Sequence, residues 1–473
     1  MAADTTELQV FNPSDGSLVG GVPQASAADV EHAIEEAHGA QVSWSKTSRR
    51  SRYDIIQRYV ESLREHHEKL AQLLAAESGK PIRQTRDEIS AATHVTHGYA
   101  ERLVAAESRA YYLDTDAGSE NDLMTLRDEP LGVVSAISAF NYPAEIGTHK
   151  MVPALLTGNA VVIKPPEQDP LTLQRMVQLL HEAGMPQDVL HVVHGGREVG
   201  EVMATHPLVA AVSLTGSEAA GQSVAMAASR TLKRVLLELG GNDAFIVLPD
   251  ADLELAVEEA IIGRITSNGQ VCIANKRLIV HRDVVGEFTD RLTERVRQIR
   301  VGSALEEATE LGPLIDRGSA ERVASQVAGA MSEGATATVG GAAADGAFFN
   351  ATVLRGVTQG MPIARDLEVF GPVFPIIEVG SVGEAVRVAN ASRYGLSGAV
   401  FTRDYALASQ VANDLESGMV VVNGTGCYRV DATPFGGFKY SGTTREGLTS
   451  SLDEYVQKKS IVFRGMGGFG SRY

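Results

Sequence analysis

Cysteine is nearly absent from this chain: Cys272 and Cys427 are the only two among 473 residues. Two cysteines exclude a disulfide framework and leave too few thiolates for a zinc site, so no metal is expected. So sparse a use of cysteine suits a reducing cytoplasm. No basic block offsets the net charge of −17, which excludes nucleic acid or an anionic membrane surface as a partner, because phosphates would be repelled. No apolar run approaches the ~18 residues that span a membrane. The first eleven residues hold no basic segment followed by an apolar one, so no signal peptide is read. Heptads and internal repeats are missing. What is present is 44% hydrophobic and 21% charged residues, the composition of a soluble globular protein. The chain is long enough for two or three domains.

Punctuation divides the chain. Asn12-Pro13 and Asp15-Gly16 mark turns between short strand-like pieces. Ser26 with Asp29 predicts a capping box that opens a helix through Val30, Ile34 and Ala37. A longer helical pattern runs through Ile55, Tyr59, Leu63, Leu70 and Leu74 and stops at Gly79 and Pro81. Another helix is expected over 85–103. From Gly132 the texture changes to short apolar runs, 132–137, 159–163, 189–193, 209–214, 235–237 and 244–247, the mark of strands buried on both faces. Helical patterns at 170–184, 197–204 and 217–228 fall between them. Alternation of this kind predicts an α/β fold with a parallel sheet that binds ligands beyond its carboxyl ends. A second α/β series follows Cys272, with strand-like runs at 278–280, 373–379, 398–401 and 419–422 and helices at 284–298, 382–391 and 405–415. A charged strand-like run, 455–463, precedes glycines at 465, 467, 468 and 470, where a mobile end is expected.

The usual nucleotide fingerprints fail. Gly216 to Gly221 has Walker spacing, but Gln222 stands where lysine is needed, and no G-x-G-x-x-G follows the first strand of the series. Other residues suit a nucleotide. Lys164 and Glu167 lie just past a strand end, where an amine meets phosphate or ribose and a carboxylate holds ribose hydroxyls. Thr215-Gly216-Ser217 joins a strand to a helix, where free N–H groups attract anions. Glu238 ends an apolar strand, a setting that raises a carboxyl pKa toward that of a general base. Asn141, in a turn after the first strand, carries the amide donors of an oxyanion hole. Cys272 follows a helical segment, 253–266, and the helix-stop pair Asn268-Gly269, so it is expected on a loop or tight turn just past a helix end. Each of these also has a plain structural reading: a surface pair, a turn, a solvated strand end, a small buried hydrophobe.

Together these stretches resemble the aldehyde dehydrogenase superfamily from Phe11 to Phe463. The matching pieces are Pro130-Leu131-Gly132-Val133-Val134, Phe140-Asn141-Tyr142-Pro143, Lys164-Pro165-Pro166-Glu167, Thr215-Gly216-Ser217, Glu238-Leu239-Gly240-Gly241, Asn268-Gly269-Gln270-Val271-Cys272, Glu368-Val369-Phe370-Gly371-Pro372 and Pro434-Phe435-Gly436-Gly437-Phe438-Lys439. The resemblance implies oxidation of an aldehyde to its acid with NAD, or NADP, through a thiohemiacetal and a thioester. Cys272 takes the nucleophile's place, Glu238 the base's, Asn141 the oxyanion donor's, and Lys164 completes the catalytic set. For the cofactor it implies Ile137, Ala139, Phe140, Lys164, Glu167, Gly196, Gly200, Thr215, Gly216, Ser217, Leu239 and Gly240, with Glu368 on the nicotinamide ribose and Phe370 packed beside it. It also implies a Rossmann-like nucleotide-binding domain (1–110 and 131–240), a catalytic domain (241–440), and a β-ribbon arm with a tail (111–130 and 441–473). That arm predicts a homodimer or homotetramer. Two departures stand out: Phe140 where many relatives carry Trp, and Lys276 where a small residue is common.

Two alternatives stay open at this point. One is a coenzyme-A-acylating relative, disfavoured by Glu238. The other is a non-catalytic homologue, disfavoured by the presence of nucleophile, base and oxyanion Asn together. By position the substrate pocket is lined by Tyr142, Ile146, His149, Val271, Ile273, Cys427 and Tyr428, with Arg429 behind. Arg429 either contacts substrate or pairs with Asp431. His149 stands where lactaldehyde-type relatives carry His and succinate-semialdehyde relatives Arg. A small polar or singly anionic aldehyde is therefore expected, with NAD preferred because Glu167 would repel a 2′-phosphate.

Overall fold

Leu190–Val192, Ala160–Lys164, Val133–Ile137, Val209–Thr215 and Arg234–Glu238 lie side by side in that order as five parallel strands. The computed structural model describes residues 7–106, 109–342 and 345–466. Gly467, Gly468 and Gly470 lie outside them. The sheet grows one way from Val133–Ile137 and then reverses at Val209–Thr215, which leaves a crevice at the carboxyl ends of those two strands. Val133–Ile137 and Ala160–Lys164 are buried at every position, as apolar runs covered on both faces must be. The helices Ala27–Trp44, Arg49–Ser78 and Ile82–Val104 share one apolar core with this sheet. The first opens on the expected capping box, Ser26 with Asp29. The second ends at Gly79, whose φ of 75° suits glycine.

Ala244–Val247 does not close this first series, as its place in the chain suggested. It lies in the middle of a seven-stranded sheet, between Arg277–His281 and Ser397–Phe401. A four-residue apolar run carries no information about which sheet it joins. The other members are Met419–Val422 on one side and Val373–Val379, Thr352–Arg355 and Thr336–Val339 on the other. The last two strands and the helix Arg317–Ser332 were not legible in the sequence. Their Ala, Ser, Thr and Gly content blurs the apolar period, although the cap Asp316, accepting from the Ser319 N–H at 2.6 Å, was there to be read.

The segments expected to form the β-ribbon belong to a three-stranded sheet. Leu123–Pro130 pairs antiparallel with both Val456–Phe463 and Arg109–Tyr112. No helix among the described residues is long and apolar enough to cross a membrane.

Candidate active site

The loop that carries Cys272 is held by its own polar residues. Helix Leu253–Ile265 gives way to a tight turn in which Ser267, Asn268 and Gly269 have φ of 47°, 57° and 79°. Two non-glycine residues in the left-handed region persist only where their surroundings over-determine them. Here the Asn268 amide donates to the carbonyls of Gly79 (2.9 Å) and Pro313 (2.7 Å) and accepts from the Gly312 N–H (2.7 Å). Gln270 Oε1 accepts from the Ile315 N–H at 3.0 Å. A Cβ on Gly269 would collide with the main chain of Gly371. The turn is thus pinned by three distant segments before the chain reaches Cys272.

Cys272 is half-buried. Burial pushes its thiol up to about 12; Lys276 draws it down, while Glu238, Asp243 and Glu368 push it further up. Glu238, at the end of Arg234–Glu238, is buried, and neither carboxylate oxygen has a hydrogen-bond partner. Burial raises its pKa well above the ordinary value and the charge of Glu446 adds to the rise, against Lys150, Arg429 and Arg445. The direction is the one its apolar setting implies. The partners were missed in the sequence. Lys150 is fully buried, its Nζ 3.1 Å from Glu446 Oε1 and 3.3 Å from Ser213 Oγ. Burial alone would raise Glu446, but Lys150, His149 and Arg429 outweigh it and the net shift is down. A lone lysine in the apolar helix Pro143–Leu156 was the available signal.

Asn141 is buried beside the nucleophile loop. Its main-chain oxygen accepts from Lys80 Nζ at 2.6 Å and from Ser267 Oγ at 3.2 Å. Its side-chain amide makes no hydrogen bond to the described residues.

The expected cofactor residues gather at the carboxyl ends of the five-stranded sheet. Ile137 and Lys164 are paired strand ends, and Ala139 and Phe140 follow Ile137 in the next turn. Lys164 is buried and its pKa lowered by burial, with Glu167 opposing. Glu167 lies against Gly196, where a Cβ would come within 2.9 Å of its Oε1. Gly196 opens the helix Arg197–Thr205, which includes Gly200. Thr215 ends its strand with a buried, unpartnered Oγ1, and Ser217 caps the helix Glu218–Ser229 after Gly216. Leu239 packs on Gly221, and Gly240 leaves room for the Glu368 carboxylate. Phe370 meets Phe140 edge-on at 5.8 Å. His194, unmentioned by the motifs, is buried with Nδ1 unpartnered; burial, then Lys164, lowers its pKa to about 4. A helix N-terminus, two orphan polar atoms and a Lys–Glu pair at a strand crevice fit a dinucleotide.

On the other side of Cys272, Val271, Ile273, Ala274, Leu396 and Phe435 form a small apolar cluster with Tyr142, Cys272 and Cys427 packed against it. Ile146 is buried and Tyr428 largely exposed, outside that cluster. His149 does not face an open pocket. Its side chain is 2% exposed, Nδ1 meets the Tyr99 hydroxyl at 2.7 Å, and Nε2 meets Arg429 at 3.0 Å. Arg429 pairs with Glu145 at 3.5 Å rather than with Asp431, and lies 4.3 Å over the Phe435 ring. Burial would raise the pKa of Glu145, but His149, whose Nε2 lies 3.6 Å from Glu145 Oε1, and the charge of Arg429 bring it to about 2.

A half-buried cysteine, an unpartnered buried glutamate and a dinucleotide crevice form one assembly, and residues 1–461 match the family described as the aldehyde dehydrogenase family. The chain belongs to the aldehyde dehydrogenase family. It is similar to a probable succinate-semialdehyde dehydrogenase [NADP(+)] of Sinorhizobium fredii, 37% identical over 98% of this chain and 94% of that protein. It is similar to a 3-sulfolactaldehyde dehydrogenase of Pseudomonas putida, 36% identical over 98% and 96%. Its fold is that of a Staphylococcus aureus betaine aldehyde dehydrogenase mutant solved in complex with NAD+, with a TM-score of 0.94 at 32% identity, covering 100% of this chain and 96% of that one. As in this family, the chain is an oxidoreductase that acts on aldehydes with NAD or NADP.

Proposed function

We propose that the substrate is a small, polar or singly anionic aldehyde. The observation that carries this is Arg429, balanced by Glu145 and stacked over the ring of Phe435, a member of the cluster around Cys272. A guanidinium has five N–H donors, and Glu145 and His149 do not exhaust them. The side chain is 21% exposed, so the remaining donors meet a substrate hydroxyl or carboxylate. Because Glu145 stays ionised, the pair is near neutral and suits a hydroxyl or one negative charge. His149 then acts as a positioning residue behind Arg429. The relatives named for semialdehydes and sulfolactaldehyde have the same chemistry of substrate.

In this reading the Cys272 thiol first gives its proton to solvent, its thiolate adds to the aldehyde carbon, and Asn141 and the Cys272 N–H hold the resulting oxyanion. NAD(P), which Lys164, Glu167 and Ser217 would hold, would supply the two-electron acceptor for the aldehyde hydrogen. Water then attacks the thioester on Cys272 and gives one proton to Glu238, and the acid is released as the thiolate leaves. The test is kcat/KM for lactaldehyde, succinate semialdehyde, propanal and benzaldehyde. The polar pair should lead in the wild type, and Arg429→Met should cost them about 10²-fold while sparing propanal. Propanal or benzaldehyde as the best wild-type substrate would refute the pocket assignment.

NAD is the preferred cofactor, with Glu167 holding both hydroxyls of the adenosine ribose. A ratio of kcat/KM for NAD over NADP of at least ~10 is expected, falling toward unity in Glu167→Ala. A wild-type ratio below one would defeat the argument. The arm supports a homo-oligomer: Tyr112, Val462 and Phe463 are exposed on a three-stranded sheet. A groove of about 820 Å³ beneath that sheet, lined by Arg102, Tyr111, Leu452 and Lys458 among others, lies away from Cys272. Two free cysteines support a cytoplasmic setting.

A further inference from the structure

Lys276 is a lysine whose side chain is 1% exposed. Burying an ammonium is costly unless it is paired and hydrogen-bonded. Its Nζ lies 3.1 Å from Glu368 Oε1 and donates to the main-chain oxygen of Cys272. The same Glu368 oxygen accepts from the Gly241 N–H at 3.2 Å, and the Phe370 ring lies 5.9 Å from the ammonium. The lysine is anchored because the next residue begins the strand Arg277–His281, which is hydrogen-bonded on both sides. One ammonium therefore touches the main chain of the nucleophile and the Glu368 carboxylate beside Gly240 and Gly241.

We propose that Lys276 is a positioning residue that fixes the Glu368 carboxylate for the cofactor ribose and ties it to the main chain of Cys272, so that cofactor affinity and thiol reactivity depend on one side chain. This rests on the reading of Cys272 and Glu368 given above. The groups facing the thiol are Lys276 on its own loop, Glu238 at the end of the first sheet, Asp243 and Glu368 beside Gly241, and Tyr142 and Arg429 on the substrate side. Three carboxyl groups thus oppose Lys276 and Arg429. Removing the lysine leaves that balance more negative and makes the thiol harder to ionise.

The test uses the full chain without substrate. Alkylation of Cys272 by iodoacetamide is followed against pH by the mass of its peptide, and NAD affinity by fluorescence titration, in Lys276→Met, Lys276→Arg and Glu368→Gln. In Lys276→Met, alkylation at pH 8 should slow about five- to tenfold and NAD should bind about tenfold more weakly. Lys276→Arg should restore both to within about threefold of wild type. Glu368→Gln should weaken NAD binding as well but speed alkylation, because it removes a negative charge from beside the thiol. Opposite signs in the two alkylation profiles separate charge placement from general loosening, which would move both the same way. Values for Lys276→Met within twofold of wild type, or profiles of Lys276→Met and Glu368→Gln that shift together, overturn the proposal. Should Lys276→Met fail to fold, Lys276→Arg and Glu368→Gln decide it on the same two readouts: unchanged NAD affinity or slower alkylation in Glu368→Gln overturns it. A wrong nucleophile would instead show itself as turnover surviving in Cys272→Ala.

Discussion

Cys272→Ala is expected to reduce turnover by at least ~10³-fold while NAD binds with affinity within about twofold of wild type. The separation follows from the architecture. The thiol lies on the loop pinned by Asn268, whereas the cofactor residues lie at the ends of the five-stranded sheet. Removing one sulfur touches neither the Lys164–Glu167 pair nor the cap at Ser217. Thiol reagents supply the control. Cys427, whose Sγ sits 3.4 Å from the Ile273 carbonyl oxygen, remains in the variant, so labelling of the variant with no change in its residual rate shows that Cys427 carries no chemistry. Turnover that persists and is then inactivated through Cys427 would overturn the assignment.

Glu238→Gln should leave a burst of about one NADH per active site and slow the steady state about 10²- to 10³-fold. The burst reports attack by Cys272 and hydride loss; the steady state reports hydrolysis of the thioester, where a carboxylate must take a proton from water. The pH dependence follows from the sign of the shift. Burial and Glu446 raise the pKa of Glu238, so its basic form is scarce at low pH and fills as pH rises through that raised value. Steady-state turnover of the wild type should therefore climb with pH across that range, and the climb should vanish in Glu238→Gln. Loss of the burst along with the steady state would mean that Glu238 acts earlier, in deprotonating a thiol that burial holds at about 12.

What could be read ahead of the structure has a common cause. Ser26 with Asp29, Gly79, and the runs at Val133–Ile137 and Ala160–Lys164 act over a few residues, through caps, left-handed backbone and two-sided burial. Local rules suffice for them. The order of the eight family motifs likewise lies in the chain itself, and it marked the fold and the activity. Ala244–Val247 shows the limit: its strand character was legible and its sheet was not, because pairing with Arg277–His281 and Ser397–Phe401 is decided by packing.

The site divides in the same way. By itself the sequence determined that a cysteine follows a helix stop, that a glutamate ends an apolar strand, and that Lys164, Glu167 and Ser217 lie at strand ends. Only the tertiary structure decided their partners. Lys150 reaches Glu446 across 296 positions, and His149 reaches Arg429 across 280. Those contacts turn His149 from a pocket residue into a support for Arg429, and they set the charge balance around Glu238. Lys276 is four residues from Cys272, yet its meaning comes from Glu368. The physical reason is that a buried charge takes its function from whatever compensates it in a low dielectric, and the compensating group is chosen by the packing of distant segments.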